Sequence, residues 1–268
     1  MNPNGFDWSN FVAISVTSLL LLAILQAATF LVGRRIGRYN VVDVSWGLGF
    51  VLVALVAAVL GEGDGLRRWL MFVLIAVWGL RLTWHMYVKS AGRGEDPRYV
   101  EMLNRSGGDS TVVVVRKIFL TQGLSQWFVS LPVQLSAVLG AASGLGTVVA
   151  TIGVAVWVVG FAFESVGDFQ LRQFKADPAN SGKIMDSGLW SWTRHPNYFG
   201  DCCVWWGLWL ISASVWPGPV TILSPVAMTY FLVYATGARV LERAMSRRPG
   251  YPEYQRRTSY FLPLPPKR

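Results

Sequence analysis

Cysteine is nearly absent from this 268-residue chain, and the two present, Cys202 and Cys203, are adjacent within an apolar run. That leaves neither a disulfide framework nor a zinc site with its usual ligand spacing. Histidine is equally scarce, and His85 and His195 do not complete a metal centre either. Acidic residues are few, with 15 Asp and Glu against 24 Lys and Arg and a formal charge of +9. Such an excess suits nucleic acid, anionic lipid or a phosphorylated ligand, and the placement of the charges must choose among them. The first ten residues hold no Lys or Arg, so the basic n-region of a cleaved signal peptide is missing and the first apolar run is expected to be retained as a span. No Gly-x-Gly-x-x-Gly follows a strand and no Walker sequence occurs, which excludes both soluble nucleotide-binding folds.

What the chain does have is apolar length. Hydrophobic residues make up 53%, above the range of roughly 45–50% for a soluble domain. Spanning a bilayer as a helix takes about 20 mostly apolar residues, because lipid offers no partner to unpaired backbone groups. Phe11 to Val32, Val44 to Leu60, Ile118 to Leu139 and Leu145 to Phe163 are uncharged, and Trp69 to Val88 is interrupted by Arg81 and His85. The run from Cys202 to Ala238 is also uncharged, but Pro217-Gly218-Pro219 must break it into two helices. The expected fold is therefore all-α, a single polytopic membrane domain of about seven transmembrane helices. Of the 24 Lys and Arg, 21 fall in the segments after the first, third, fifth and seventh runs, while the alternate segments hold only Arg67 and Arg68. Cytoplasmic loops collect basic residues, so the N-terminus is expected outside and the C-terminus in the cytoplasm. Topology then accounts for most of the charge, which argues against nucleic acid.

Polar residues concentrate in three places. Glu164, Asp168, Arg172 and Lys175 follow the fifth run and, at about 100° per residue, fall in one arc of a continuing helix. They are either interfacial charges at the bilayer edge or groups facing protein or a wet cavity. The second place runs from Gly188 through Trp190, Trp192, Arg194, His195, Pro196, Asn197, Tyr198 and Gly200 to Asp201. Pro196 suits the first turn of a helix, which puts Asn197 and Asp201 on one face beside Arg194. Unpaired N–H groups at such a helix start suit an anionic cofactor, although the tryptophans alone read as an interfacial anchor. The third place is membrane-embedded: Asp43 and Trp46 share a face in the second run, and Trp78, Arg81 and His85 share one in the third. Catalysis and an internal ion pair of Asp43 with Arg81 both account for them. The loop Gly92-Arg93-Gly94-Glu95-Asp96-Pro97-Arg98-Tyr99 has glycines for close approach and arginines suited to a phosphate.

At these residues the chain resembles the membrane family that groups steroid 5α-reductases with bacterial relatives. The resemblance is carried by Arg194-His195-Pro196-Asn197-Tyr198-Phe199-Gly200-Asp201, preceded by Glu164 and followed by Leu241-Glu242 and Gly250-Tyr251-Pro252-Glu253-Tyr254, so it covers 164–268. It implies NADPH held without a Rossmann domain by Glu164, Asp168, Arg172, Lys175, Arg194, His195, Asn197, Tyr198, Asp201, Glu242 and Tyr254. Steroid reductases usually carry Asn where this chain has Glu164. It also implies reduction of a carbon–carbon double bond in a lipophilic enone, such as a 3-oxo-Δ4 steroid, with the active site opening to the cytoplasm from a bacterial inner membrane. Those enzymes place a Glu on the second span and a Tyr on the third as proton donors. Here Asp43 stands for the first, no Tyr stands at the second, and Arg81, His85 and Tyr87 are the substitutes. No metal and no nucleic acid is implied. The same Arg-His-Pro block also resembles isoprenylcysteine carboxyl methyltransferases, which bind S-adenosylmethionine, and a third reading is a non-catalytic lipid-binding protein.

Overall fold

The computed structural model describes residues 6–267 and is all-helical, with one isolated bridge, between Thr193 and Ser259, as the only extended pairing among them. The chain divides into two compact units. One is built from everything up to Ser143 with Val215–Thr221, the other from Gly144–Ser214 with Ile222 onward.

The first unit begins with α1 (Trp8–Ile36), α2 (Val42–Leu60) and α3 (Gly65–Ser90). Local chemistry sets their ends. The Asp7 carboxylate accepts from the Asn10 N–H at 2.9 Å and caps α1, which stops at Gly37 in the left-handed region at φ 72°. Asp64 caps α3 in the same way, accepting from the Arg67 N–H at 2.9 Å. Helices α2 and α3 cross backbone to backbone at Gly47 and Gly79, where a Cβ on Gly79 would lie 2.7 Å from the Gly47 carbonyl oxygen. The missing side chain of Gly49 leaves room for buried Gln126, which accepts from Gln26 at 2.7 Å and donates to the Trp46 carbonyl at 2.8 Å. A short amphipathic helix, α4 (Pro97–Arg105), starts at the Asp96 cap with Pro97 in its first turn. Its Tyr99, Met102 and Leu103 pack on Val42, Ile118 and Phe119.

The expected fourth run is helical but interrupted. It comprises α5 (Thr111–Val114), a π-helical turn (Val115–Leu120), α6 (Thr121–Val129) and α7 (Leu131–Ser136), with the break at Ser130 just before Pro132.

The second unit contains α8 (Leu145–Ala176), α9 (Pro196–Ala213), α10 (Leu223–Tyr230), α11 (Ala238–Met245) and α12 (Tyr251–Arg257). Its centre is a seam of glycines at seven-residue spacing. Gly153 and Gly160 on α8 meet Gly207 and Gly200 on α9, and a Cβ on Gly160 would lie 2.6 Å from the Gly200 carbonyl oxygen. Small residues at such a spacing let two helix backbones approach closely, which is how helices associate where lipid supplies no hydrophobic drive. Helix α9 ends at Ala213, and Pro217-Gly218-Pro219, in the stretch assigned to the first unit, enters a 3-10 turn (Gly218–Ile222), the break the sequence pattern requires.

Five helical stretches among the described residues are long and apolar enough to cross a membrane: α1, α2, α3, α8 and the stretch Gly218–Met245. They mark the chain as an integral membrane protein.

Candidate functional site

Two carboxylates, one in each unit, organise the polar residues singled out by the sequence. In the second unit the centre is Glu242 on α11. Arg194 Nε donates to its Oε1 at 2.8 Å and Arg194 Nη2 to its Oε2 at 3.1 Å, in a two-pronged pair. His195 Nε2 lies 3.1 Å from Oε1, the Tyr251 hydroxyl donates to Oε1 at 2.6 Å, and Gln255 Nε2 donates to Oε2 at 2.6 Å. Arg194 also donates through Nη1 to the carbonyls of Gln255 at 3.1 Å and Thr258 at 2.7 Å, and its guanidinium covers the Tyr260 ring at 5.4 Å. Four of the five donors that a guanidinium carries are thus used inside the unit.

The same network ties the tail to the segment before α9. The Tyr254 hydroxyl donates to the Trp190 carbonyl at 2.6 Å, the Thr193 hydroxyl to the Phe261 carbonyl at 2.8 Å, and the Leu264 N–H to the Trp192 carbonyl at 3.0 Å. Burial, and then the neighbouring Glu242, pushes the Tyr251 hydroxyl far above the ordinary phenol range, and burial does the same to Tyr254. Both stay protonated donors at any physiological pH.

Beside this network, the α8–α9 seam brings acidic residues to the start of α9. A Cβ on Gly167 would meet the Asn197 N at 3.3 Å, so Asp168, one residue further along α8, reaches Asn197, whose Nδ2 donates to its Oδ1 at 3.1 Å. Gly200 abuts α8 at Glu164, and Asp201 follows on the same α9 face as Asn197. Glu164, Asp168 and Asp201 are all buried, whereas Arg172 and Lys175 stand exposed on the last turns of α8. Tyr198 stacks on His195 with ring centroids 5.8 Å apart. The eleven residues expected to hold a cofactor therefore lie in one unit, gathered around α8, α9 and the Glu242 network.

The four residues expected to be catalytic lie in the other unit. Arg81 and His85 are half-buried on α3, and Tyr87 is exposed. Asp43, in the first turn of α2, has the partner the sequence reading did not find: the Tyr99 hydroxyl donates to its Oδ1 at 2.6 Å. The Arg98 guanidinium lies 3.7 Å from its Oδ2. Burial, and then the Asp43 charge, raises the Tyr99 hydroxyl well above the ordinary phenol value. A local signal for Tyr99 exists, because Asp96-Pro97 is a helix start and Tyr99, Met102 and Leu103 then share one apolar face. The surrounding loop is held by carboxylates and not built as a phosphate clasp. Glu95 accepts from the Tyr39 and Asn40 N–H groups, and Arg98 pairs with Asp96 at 2.9 Å.

An all-helical membrane protein with these two clusters is the class that fold and site define. Residues 29–258 match the family described as Protein of unknown function (DUF1295), and the chain belongs to that family. No curated protein matches it.

Proposed function

We propose that this chain is an NADPH-dependent membrane reductase that saturates the carbon–carbon double bond of a lipophilic enone. The observation that carries the reading is the 2.6 Å hydrogen bond between Tyr99 and Asp43, a phenol–carboxyl pair of the kind enone reduction needs and methyl transfer does not. The family's association with steroid 5α-reductase-like proteins supports it. In this reading the chain crosses the bilayer seven times, counting the interrupted 111–136 stretch and α9 with the five long apolar stretches, and its C-terminus faces the cytoplasm of a bacterial inner membrane.

The donors of the second unit fit a phosphorylated dinucleotide. Asp168 and Asn197 suit ribose hydroxyls, the N-terminus of α9 suits a pyrophosphate, and exposed Arg172 and Lys175 suit the 2′-phosphate. Arg194, with its donors spent on Glu242 and backbone carbonyls, frames this surface together with His195 and Tyr254 and does not itself grip phosphate. NADPH would supply the hydride, and a proton from water would complete saturation at the neighbouring carbon. In the first unit the Tyr99 phenol, held by Asp43, is the group proposed to donate a hydrogen bond to a carbonyl oxygen. Substituting Tyr99→Phe is expected to lower turnover by about 10²–10⁴-fold with NADPH affinity unchanged. Full turnover in that variant would sink the acid assignment.

The three buried carboxylates Glu164, Asp168 and Asp201 favour one rival, a methyltransferase binding the cationic sulfonium of S-adenosylmethionine. Titrating the purified protein with NADPH, NADH and S-adenosylmethionine separates the two. Lys175→Ala is expected to weaken NADPH by roughly 1–3 kcal/mol and leave NADH unchanged.

A further inference from the structure

Helix α1 and the interrupted stretch that begins at Thr111 lie side by side and antiparallel. Phe30 meets Phe119 with ring centroids 5.4 Å apart, Gln26 donates to Gln126 at 2.7 Å, and Trp127 donates to the Ser15 carbonyl at 3.2 Å, so residue numbers rise along one as they fall along the other. One turn past the Phe30–Phe119 contact, the same order brings Arg34 and Arg35, in the last turn of α1, to the level of Arg116 and Lys117 in the π-helical turn. Four cations from two helices thus stand at one end of the first unit.

Three observations define what they meet. All four are exposed, and their side chains make no hydrogen bond or ion pair among the described residues. Other cations of the unit are engaged: Arg98 pairs with Asp96, Arg105 pairs with Glu101, and Arg38 donates to the carbonyls of Ser90 and Arg93. The second observation is depth. The uncharged length of α1, Trp8 to Gly33, is about 39 Å at 1.5 Å per residue, more than the roughly 30 Å of a hydrocarbon core, so the cations that follow fall in the head-group layer. The third is the apolar surface next to them. Toward the middle of the two helices, Leu31 and Val32 on α1 and Leu120 and Leu124 on its neighbour are exposed, a wall suited to acyl chains. An acidic protein or a nucleic acid would use the charge and leave that wall bare, whereas a lipid uses both.

We infer that the end of α1 and the π-helical turn beside it form a binding site for an anionic glycerophospholipid, whose phosphate sits among Arg34, Arg35, Arg116 and Lys117 while its chains run along Leu31, Leu120 and Leu124. The inference is independent of the reductase reading. Basic residues that only orient the chain in the membrane need neither the two helices together nor a particular lipid, and that is the difference the experiment reads.

The full chain in a neutral detergent is titrated with phosphatidylglycerol, phosphatidylcholine and glycerol 3-phosphate, and bound lipid is counted by native mass spectrometry. Phosphatidylglycerol is expected to bind at least about tenfold tighter than zwitterionic phosphatidylcholine, with the preference shrinking at high salt. Arg34→Gln with Arg35→Gln, or Arg116→Gln with Lys117→Gln, is expected in each case to remove most of that preference. Arg105→Gln, which removes a cation already paired with Glu101, should keep it. Equal affinity for the two lipids overturns the inference, and so does a preference that survives both pairs of substitutions or answers to only one pair. Glycerol 3-phosphate that displaces phosphatidylglycerol at equal concentration overturns the lipid and leaves a soluble phosphate in its place. Should a paired substitution fail to insert, Arg34→Gln and Arg116→Gln singly, each expected to weaken the preference about threefold, take its place.

Discussion

Glu242 and Asp43 are both carboxylates held by a tyrosine hydroxyl at 2.6 Å, and they are otherwise unlike. Glu242 receives Arg194 on both oxygens, His195, Tyr251 and Gln255, so its bonding capacity is filled by its own unit. Asp43 has Tyr99 close by and Arg98 only at 3.7 Å, with a cavity alongside. A filled carboxylate is a structural rivet, because nothing new can bind without breaking what is there. A part-filled one next to a cavity keeps capacity for a ligand, and that is the chemical difference between the two units.

The largest effect should come from breaking the rivet. Glu242→Ala leaves the Arg194 guanidinium buried without its partner, which is expected to cost about 3–5 kcal/mol and release the tail from the segment before α9. Asp43→Ala, by contrast, should cost far less stability, since Asp43 has one close hydrogen bond and Arg98 at 3.7 Å. Thermal unfolding in detergent measures both, and equal destabilisation would erase the distinction between the two carboxylates.

Next in size is the seam that carries the second unit. A methyl group on Gly160 meets the Gly200 carbonyl oxygen at 2.6 Å, so Gly160→Ala is expected to cost about 1–3 kcal/mol by forcing α8 and α9 apart. Gly140→Ala in the first unit meets nothing within 4 Å and serves as the control. Should the two variants melt together, the close approach of α8 and α9 is not what holds the unit.

Tyr99→Phe should be milder for the fold, at about 0.5–1.5 kcal/mol, since one hydrogen bond is lost and the ring, part of α4's apolar face, still packs on Val42, Ile118 and Phe119. A loss as large as that of Glu242→Ala would make Tyr99 a rivet as well and remove the contrast.

The smallest effect is on pH. Burial alone would raise Asp96, but its bonds from the Arg98 side chain and backbone outweigh that and hold its carboxyl below the ordinary 3.8. A lowered folded-state value means the stabilisation of α4 is present above the unfolded value and is lost as pH falls through the folded one. Protection of α4 amides, taken relative to their intrinsic exchange at each pH, should therefore fall only below about pH 4. Loss of protection already near neutral pH would show that the Asp96 cap does not govern this helix.

The residues behind these contrasts differ in how far they can be read from the chain. That Asn197 and Asp201 share a face of a helix starting at Pro196 follows from local chemistry, because a proline tolerated only in the first turn sets the register of everything after it. The same is true of the stripe Glu164, Asp168, Arg172 and Lys175, which α8 carries through to Ala176. The Arg194–Glu242 pair spans 48 positions and Tyr99–Asp43 spans 56, and no local pattern announces either.

By itself, then, the sequence determined the long apolar helices, the break at Pro217-Gly218-Pro219, and the faces on which polar residues gather. These depend on interactions a few residues long and on the refusal of lipid to satisfy a bare backbone. Only the tertiary structure decided which carboxylates are filled and which keep room for a ligand. That depends on which distant donor the packing delivers, as α4 delivers Tyr99 to Asp43 and α11 delivers Glu242 to Arg194.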